Sequence, residues 1–197
     1  MIKFCFIDTE TTGTDSKKNG IIQIAGEIIF ADENKTLELE SKGQFNFSVK
    51  PFESDVIEDK ALEVNKITRE EIATFDEPKI VYNKFLPILN ANCDQYNKQD
   101  KMFFVGYNAR FDYDFMRSWF EKNSNQYFGS YFFFPPIDVM NIAIFNCIRE
   151  RHLLENFKLA TVADHLKVSC EGEFHDALKD IIVTKNIFMK YLEIGKQ

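Results

Sequence analysis

Residues 1–12 read MIKFCFIDTETT, and this stretch decides the fold. Ile2 to Asp8 is apolar, and the turn-rich run from Thr11 to Gly20 bounds it, which predicts a first strand. Working outward, Ile21 to Ala31 (IIQIAGEIIFA) predicts a second strand and Leu37 to Lys50 a third. In the third, Phe45, Phe47 and Val49 recur at every second position, the period of a half-buried strand. The loops between these segments are short, so the three strands should form an antiparallel meander.

Helical patterns follow. Val56 to Glu63 fits a short helix, and Thr68 opens another, with Glu71 three residues on as a capping box. Pro78 to Asn92 places Ile80, Val81, Phe85, Ile88 and Leu89 on one face. Met102 to Tyr107 returns to strand and Phe111 to Lys122 to helix. YFGSYFFFPPID, residues 127–138, then gives a short apolar strand ending near Asp138. Three helices complete the pattern, at Val139 to Arg149, Leu159 to Leu166 and Asp176 to Leu192. A strand meander followed by alternating helix and strand describes one α/β domain, 1–197, with a mixed sheet flanked by helices.

Composition sets bounds. The 197 residues suit one core, and 45% hydrophobic with 28% charged residues is ordinary for a folded soluble protein. The 21 phenylalanines read as core filling. A net charge of −7 argues against a tight duplex binder, since phosphate binders carry basic faces. It does not exclude an enzyme that acts on chain ends and holds cations in an acidic cluster. Cys5, Cys93, Cys147 and Cys170 form no C-x-x-C pair, so reduced thiols are expected rather than a zinc site or disulfides. Neither a signal peptide nor an apolar run of membrane-spanning length is evident. A cytoplasmic protein with no membrane partner is the expectation.

Three segments carry chemistry. Asp8 and Glu10 stand two apart at the end of the first strand, so alternation turns both to one face, with Cα atoms roughly 7 Å apart. Buried together, two carboxylates repel unless cations neutralise them. In GYNARFDYDF, residues 106–115, Asp112 falls in the first turn of a helix, with Asp114 as its rival and Asn108 placed to cap. In HDALKD, residues 175–180, Asp176 suits a helix N-cap, leaving His175 in the preceding loop and Asp180 one turn into the helix. Each segment alone has an ordinary structural reading: a polar strand end, an acid at a helix start, a loop histidine.

Their order and spacing resemble the three motifs of the DEDDh-type, DnaQ-like 3′–5′ exonucleases. That family includes the proofreading subunits of bacterial replicative polymerases and ribonuclease T. IIQIA resembles the family's second strand, ALEVNKIT (61–68) its A-x-x-V-H-G-I-T segment, and KLATVADHL (158–166) the helix before its last motif. The resemblance implies an RNase H-like fold with a five-stranded mixed sheet, antiparallel in strands one to three. It implies that Asp8, Glu10, Asp112 and Asp180 bind two divalent ions, Mg²⁺ or Mn²⁺, whose hard character suits carboxylate oxygens. His175 would be the general base, an imidazole having an ordinary pKa of about 6.5. Thr11 and Thr12 would offer backbone amides to the terminal nucleotide, and Glu10 would also recognise its 3′ hydroxyl. Ile67 would pack on the last base, and Asn108 and Phe111 would line the pocket. One departure falls in this region: Asn65-Lys66 stand where the family has His-Gly.

The substrate implied is a single-stranded or frayed DNA 3′ end, with RNA 3′ ends as the alternative, since the motifs do not define contacts to the 2′ hydroxyl. A catalytically silent nucleic-acid- or polymerase-binding module would be expected to have lost an acid or the histidine, and none is missing. A proofreading or repair context implies a polymerase or replication partner. Only Glu193 to Gln197 follow the last predicted helix, so docking would use the globular surface. The aromatic run Tyr127, Phe128 and Tyr131 to Phe134 reads first as a buried strand and second as a base-stacking platform. His165 reads as a helix residue, His152 as solvated, and Lys179, Lys185 and Lys190 as a solvated face.

Overall fold

A computed structural model describes residues 1–32, 39–168 and 177–194. Its five strands are β1 (Ile2–Thr11), β2 (Ile21–Ala31), β3 (Leu39–Ser48), β4 (Met102–Gly106) and β5 (Phe132–Asp138). They form one sheet in the order β3-β2-β1-β4-β5. Strands β3, β2 and β1 are antiparallel, as the meander predicts, while β1, β4 and β5 run parallel. The mixed sheet expected from the pattern is therefore present, with β1 at its centre.

The side-chain alternation of β1 organises everything else. Cys5 and Ile7 enter one core, beneath α3 (Pro78–Asn92) and α4 (Ala109–Lys122). Phe4 and Phe6 enter the other, beneath α5 (Val139–Asn146), α6 (Leu159–His165) and α7 (Ala177–Ile194). Both phenylalanines meet Phe188 of α7 edge-on, at centroid distances of 5.4 and 5.6 Å. A strand buried on both faces explains the unbroken apolar run that opens the chain. Phenylalanine fills the first core as expected, with Phe85, Phe104, Phe115, Phe120, Phe128 and Phe132 all fully buried.

Several boundaries shift for identifiable reasons. The helix predicted from Val56 starts later, as α1 (Asp59–Asn65). Val56 is held instead by the loop after β1: its amide donates to the Lys18 carbonyl, and its carbonyl accepts from the Thr12 hydroxyl. The short α2 (Arg69–Ile72) carries the expected Thr68–Glu71 capping box. Helix α5 ends at Asn146 rather than Arg149, where the Asn146 side chain bonds the Ile142 carbonyl four residues back. The aromatic run 127–134 divides: Phe128, Tyr131 and Phe132 are buried, whereas Tyr127 and Phe134 are exposed. Pro135 and Pro136 are tolerated because β5 is an edge strand, where a missing amide donor costs no ladder bond. Cys5, Cys93 and Cys147 are free and buried, and no helix among the described residues is long and apolar enough to cross a membrane.

Helix α7 is anchored by a charge inside the fold. Glu27 on β2 is 3% exposed and accepts from the Lys185 ammonium at 2.6 Å. Burial alone would raise the Glu27 pKa, but the bonds from Lys185, Ser41 and Gln44 hold it below the usual value. Lys185, expected on a solvated face, thus neutralises a buried acid. Lys185→Met would strand that carboxylate and is expected to cost about 3 kcal/mol, the lower end of the range for broken buried pairs because Lys185 keeps some solvent contact. Urea unfolding checks this, and Glu27→Gln combined with Lys185→Met should cost less than Lys185→Met alone.

Candidate active site

The parallel strands β1, β4 and β5 all finish at one end of the sheet, where Asp8, Gly106 and Asp138 lie near their carboxyl termini. Ligands of open α/β sheets bind at that end. Alternation carries Asp8 onto the face of Phe4 and Phe6, the side covered by α7, whose first turn holds Asp180. Strand β1 remains paired with β2 through Glu10, and a register shift follows between Glu10 and Thr11. Such irregularities re-aim side chains at strand ends.

Thr9 points the other way, toward α4, and makes the contact that sequence reading missed. Its backbone amide and its hydroxyl both donate to Asp112 Oδ1, at 3.0 and 2.8 Å. Asp112 is 3% exposed, so these bonds fix one buried carboxylate against the end of β1. Asp114, its rival in the sequence, lies instead on the outer face of α4, ion-paired with Arg110 at 2.7 Å.

The four acids share one electrostatic environment. Asp8 is raised well above the usual carboxylate range by burial, and further by Asp112, Glu10 and Asp180. Asp112 is pushed up to about 7 by burial, with the Thr9 bonds opposing and Glu10 reinforcing the shift. The neighbouring groups that raise Asp8 are all acids. Among the described residues no three His, Cys, Asp or Glu side chains already stand in ligating geometry. The donor set is nonetheless all carboxylate oxygen, which fits hard divalent cations. His175 lies outside the described residues.

The sign of the pH dependence follows. A carboxyl whose folded pKa exceeds its unfolded value near 3.9 stabilises the fold when protonated, and that contribution fades as pH rises. For Asp112 the fading runs from about pH 4 to about 7. In the presence of a chelator, the urea midpoint is therefore expected to be lower at pH 8 than at pH 5.5. Saturating Mn²⁺ should narrow the difference.

Two cavities flank Glu10. The larger, about 370 Å³, is lined by Thr9, Glu10, Thr11, Asn65 and Phe111 among others. The smaller, about 140 Å³, is lined by Glu10, Gln23, Ser48, Asn65, Ile67 and Phe75. Thus Glu10, Thr11 and Phe111 share one cavity, and Ile67 lines its neighbour. Thr12 does not join them. It is fully buried, and its amide donates to the Gly20 carbonyl at 2.9 Å, so that amide folds the loop instead of facing outward. Asn108 is exposed at the start of α4 but makes no side-chain cap bond, contrary to the capping expected of it. Asn65 walls both cavities and ties α1 to β1, its Nδ2 donating to the Thr11 carbonyl at 2.9 Å. Lys66 adopts the left-handed backbone (φ 52°) for which the family's glycine is suited.

A five-stranded mixed sheet in this order, with acids gathered where its first strand ends, defines an RNase H-like domain. Residues 5–188 match the RNase T family, described as exonuclease, and the chain belongs to that family. The motif resemblance to DEDDh-type 3′–5′ exonucleases is borne out at this level. Over 202 residues the chain is 29% identical to the PolC-type DNA polymerase III of Thermotoga maritima and 28% to that of Thermotoga petrophila. Each match covers 98% of this chain but only 12% of the relative. Escherichia coli exonuclease I, solved with a dT13 oligonucleotide, superposes with a TM-score of 0.73 at 20% identity, covering 98% of this chain and 41% of that one. Cell-death related nuclease 4 superposes at 0.68 with 17% identity, covering 98% and 64%. A zinc-bound form of the exonuclease I complex with single-stranded DNA is similar as well, with a TM-score of 0.72 at 20% identity, covering 100% of this chain and 41% of that one.

Proposed function

We propose that this domain is a divalent-metal-dependent 3′–5′ exonuclease that removes nucleoside monophosphates from the 3′ ends of single-stranded or frayed DNA. The observation that carries the reading is the acid cluster at the end of β1, where desolvation and three neighbouring acids together raise Asp8. Mutual repulsion of this kind is relieved when cations bind, which lets the carboxylates ionise together at neutral pH. Asp8, Glu10, Asp112 and Asp180 would hold two ions, Mg²⁺ or Mn²⁺. When bound, such ions supply Lewis acidity for in-line displacement at phosphorus.

The chain's own groups supply the rest. Thr9 holds Asp112 in place before substrate arrives, so less ordering is left for the bound state. Glu10 and Thr11 face the larger cavity, which would receive the terminal nucleotide with Phe111 against its base and Glu10 near its 3′ hydroxyl. Ile67, across Glu10, would bound the adjoining base. His175, preceding α7, would take the proton from the attacking water. The solved relative with a bound dT13 oligonucleotide supports single-stranded DNA as the first substrate to try. The polymerase relatives support a proofreading or replication setting.

The test is direct. With Mg²⁺, a 5′-labelled oligonucleotide should give a ladder shortened from its 3′ end, and a 3′-phosphorylated oligonucleotide should resist. Matched RNA should be cleaved with lower kcat/KM. Uniform internal cuts, or no metal-dependent cleavage, would sink the reading, and an RNA preference above about tenfold, about 1.4 kcal/mol in transition-state free energy, would replace the DNA assignment.

A further inference from the structure

Four non-glycine residues among those described have a left-handed backbone: Lys66, Asn108, Ser124 and Lys167. Three of them follow the ends of α1, α4 and α6, where a left-handed residue is an ordinary way to close a helix. Asn108 differs. It precedes α4, with φ 62° and ψ 42°, at the position where an asparagine is normally extended and caps the first-turn amides. Its side chain makes no such bond and stands exposed. Asparagine tolerates this backbone better than most residues, but it forgoes the cap its side chain could have made, so another contact must favour the turn.

The holder is Asp138, which follows on the neighbouring strand. Its Oδ1 accepts from the Asn108 amide at 3.0 Å and from the Met140 amide at 3.0 Å, and its Oδ2 accepts from Asn141 Nδ2 at 3.2 Å. Gly106, paired with Asp138 across β4 and β5, leaves no slack in the turn: a Cβ there would come within 3.1 Å of the Ile7 carbonyl and 3.3 Å of the Ala109 Cα. Asp138 thus joins the end of β5 and the start of α5 to the start of α4, the helix that carries Asp112.

We propose that Asp138 is a positioning residue: by holding the Asn108 amide it keeps Asn108 left-handed, denies its side chain the capping role, and leaves that carboxamide turned out for substrate. This rests on the exonuclease reading above. A carboxamide offers both donor and acceptor, suited to a phosphate oxygen or a sugar hydroxyl of a bound strand. Released from Asp138, Asn108 relaxes to the extended form and caps α4, which trades a substrate contact for a helix contact. A residue that only caps α5 would behave differently, lowering stability while leaving the activity of the folded enzyme unchanged.

Steady-state hydrolysis of an end-labelled single-stranded oligonucleotide in Mg²⁺ separates the two roles when read beside thermal unfolding and the backbone ¹³C shifts of Asn108. Asp138→Ala is expected to lower kcat/KM by about 10- to 100-fold, with Asn108 shifts moving from left-handed to extended values. Asp138→Asn, whose single oxygen can still accept from the Asn108 and Met140 amides, should stay within about threefold of the parent. Asn108→Ala should fall as far as Asp138→Ala, and the double variant no further. Should Asp138→Ala fail to fold, Asp138→Ser keeps a capping oxygen for the Met140 amide and carries the same expectations. Additive losses in the double variant, a drop in Tm without a drop in kcat/KM, or left-handed shifts surviving in Asp138→Ala would each overturn the proposal. If the parent hydrolyses nothing, the exonuclease reading fails, and the shifts still decide whether Asp138 holds Asn108.

Discussion

Asp112→Asn is expected to lower kcat by at least about a thousandfold while leaving the fold intact and the metal-free protein more stable at pH 8. The two effects have opposite signs for one reason. An asparagine oxygen can still accept from the Thr9 amide and hydroxyl, so the contact between α4 and β1 survives. What disappears is a buried negative charge whose carboxyl is pushed up to about 7 and which itself raises Asp8. Removing it relieves the repulsion but also deletes one of the four acids proposed to hold the ions. Divalent ions should then raise the Tm of the variant much less than that of the parent, since binding energy appears as stability only when the folded state holds the ion. Scanning calorimetry with chelator and with Mn²⁺, beside the oligonucleotide assay, checks all three statements. A variant that keeps parental activity, or that loses stability under chelator at pH 8, would show Asp112 to be scaffold.

Much of this was legible in the chain itself. Strand β1 was readable because it is central: Phe4, Cys5, Phe6 and Ile7 are all buried, so the run is apolar without interruption, and period-two alternation then places Asp8. Asp8 and Asp180 come together because the face of Phe4 and Phe6 is the face that α7 covers, a layer that only the structure assigns. Contacts between positions far apart in sequence were not readable. Thr9 lies 103 residues from Asp112, and no local pattern marks a threonine as the holder of a distant acid. The same applies to Asn65 and the Thr11 carbonyl, and to Lys185, whose charge suggested solvent although its partner Glu27 is inside. Asn108 misled for a more instructive reason. Its residue type and place both favour capping, and only a side chain on another strand overrides that preference.

The remaining large effect concerns His175, which sits two residues before α7 and five before Asp180. If it takes the proton from the attacking water, His175→Ala should reduce kcat by about 10² to 10⁴-fold, the usual worth of general base catalysis, with little change in KM. The acid set would be untouched, so Mn²⁺ should still raise the Tm of the variant as it does that of the parent. That separates loss of the base from loss of the metal site, which Asp112→Asn would cost. The pH profile gives a second discriminant. In the parent, log kcat should rise with pH along a limb of unit slope as the imidazole loses its proton. In His175→Ala that limb should vanish or move, and added imidazole should restore part of the rate because a small base can enter where the side chain stood. His175→Asn, which keeps a hydrogen-bonding group but cannot accept the proton, should be as slow as His175→Ala. If it instead regains most of the rate, the residue orients the water without taking its proton, and the base must be sought elsewhere around the acid cluster.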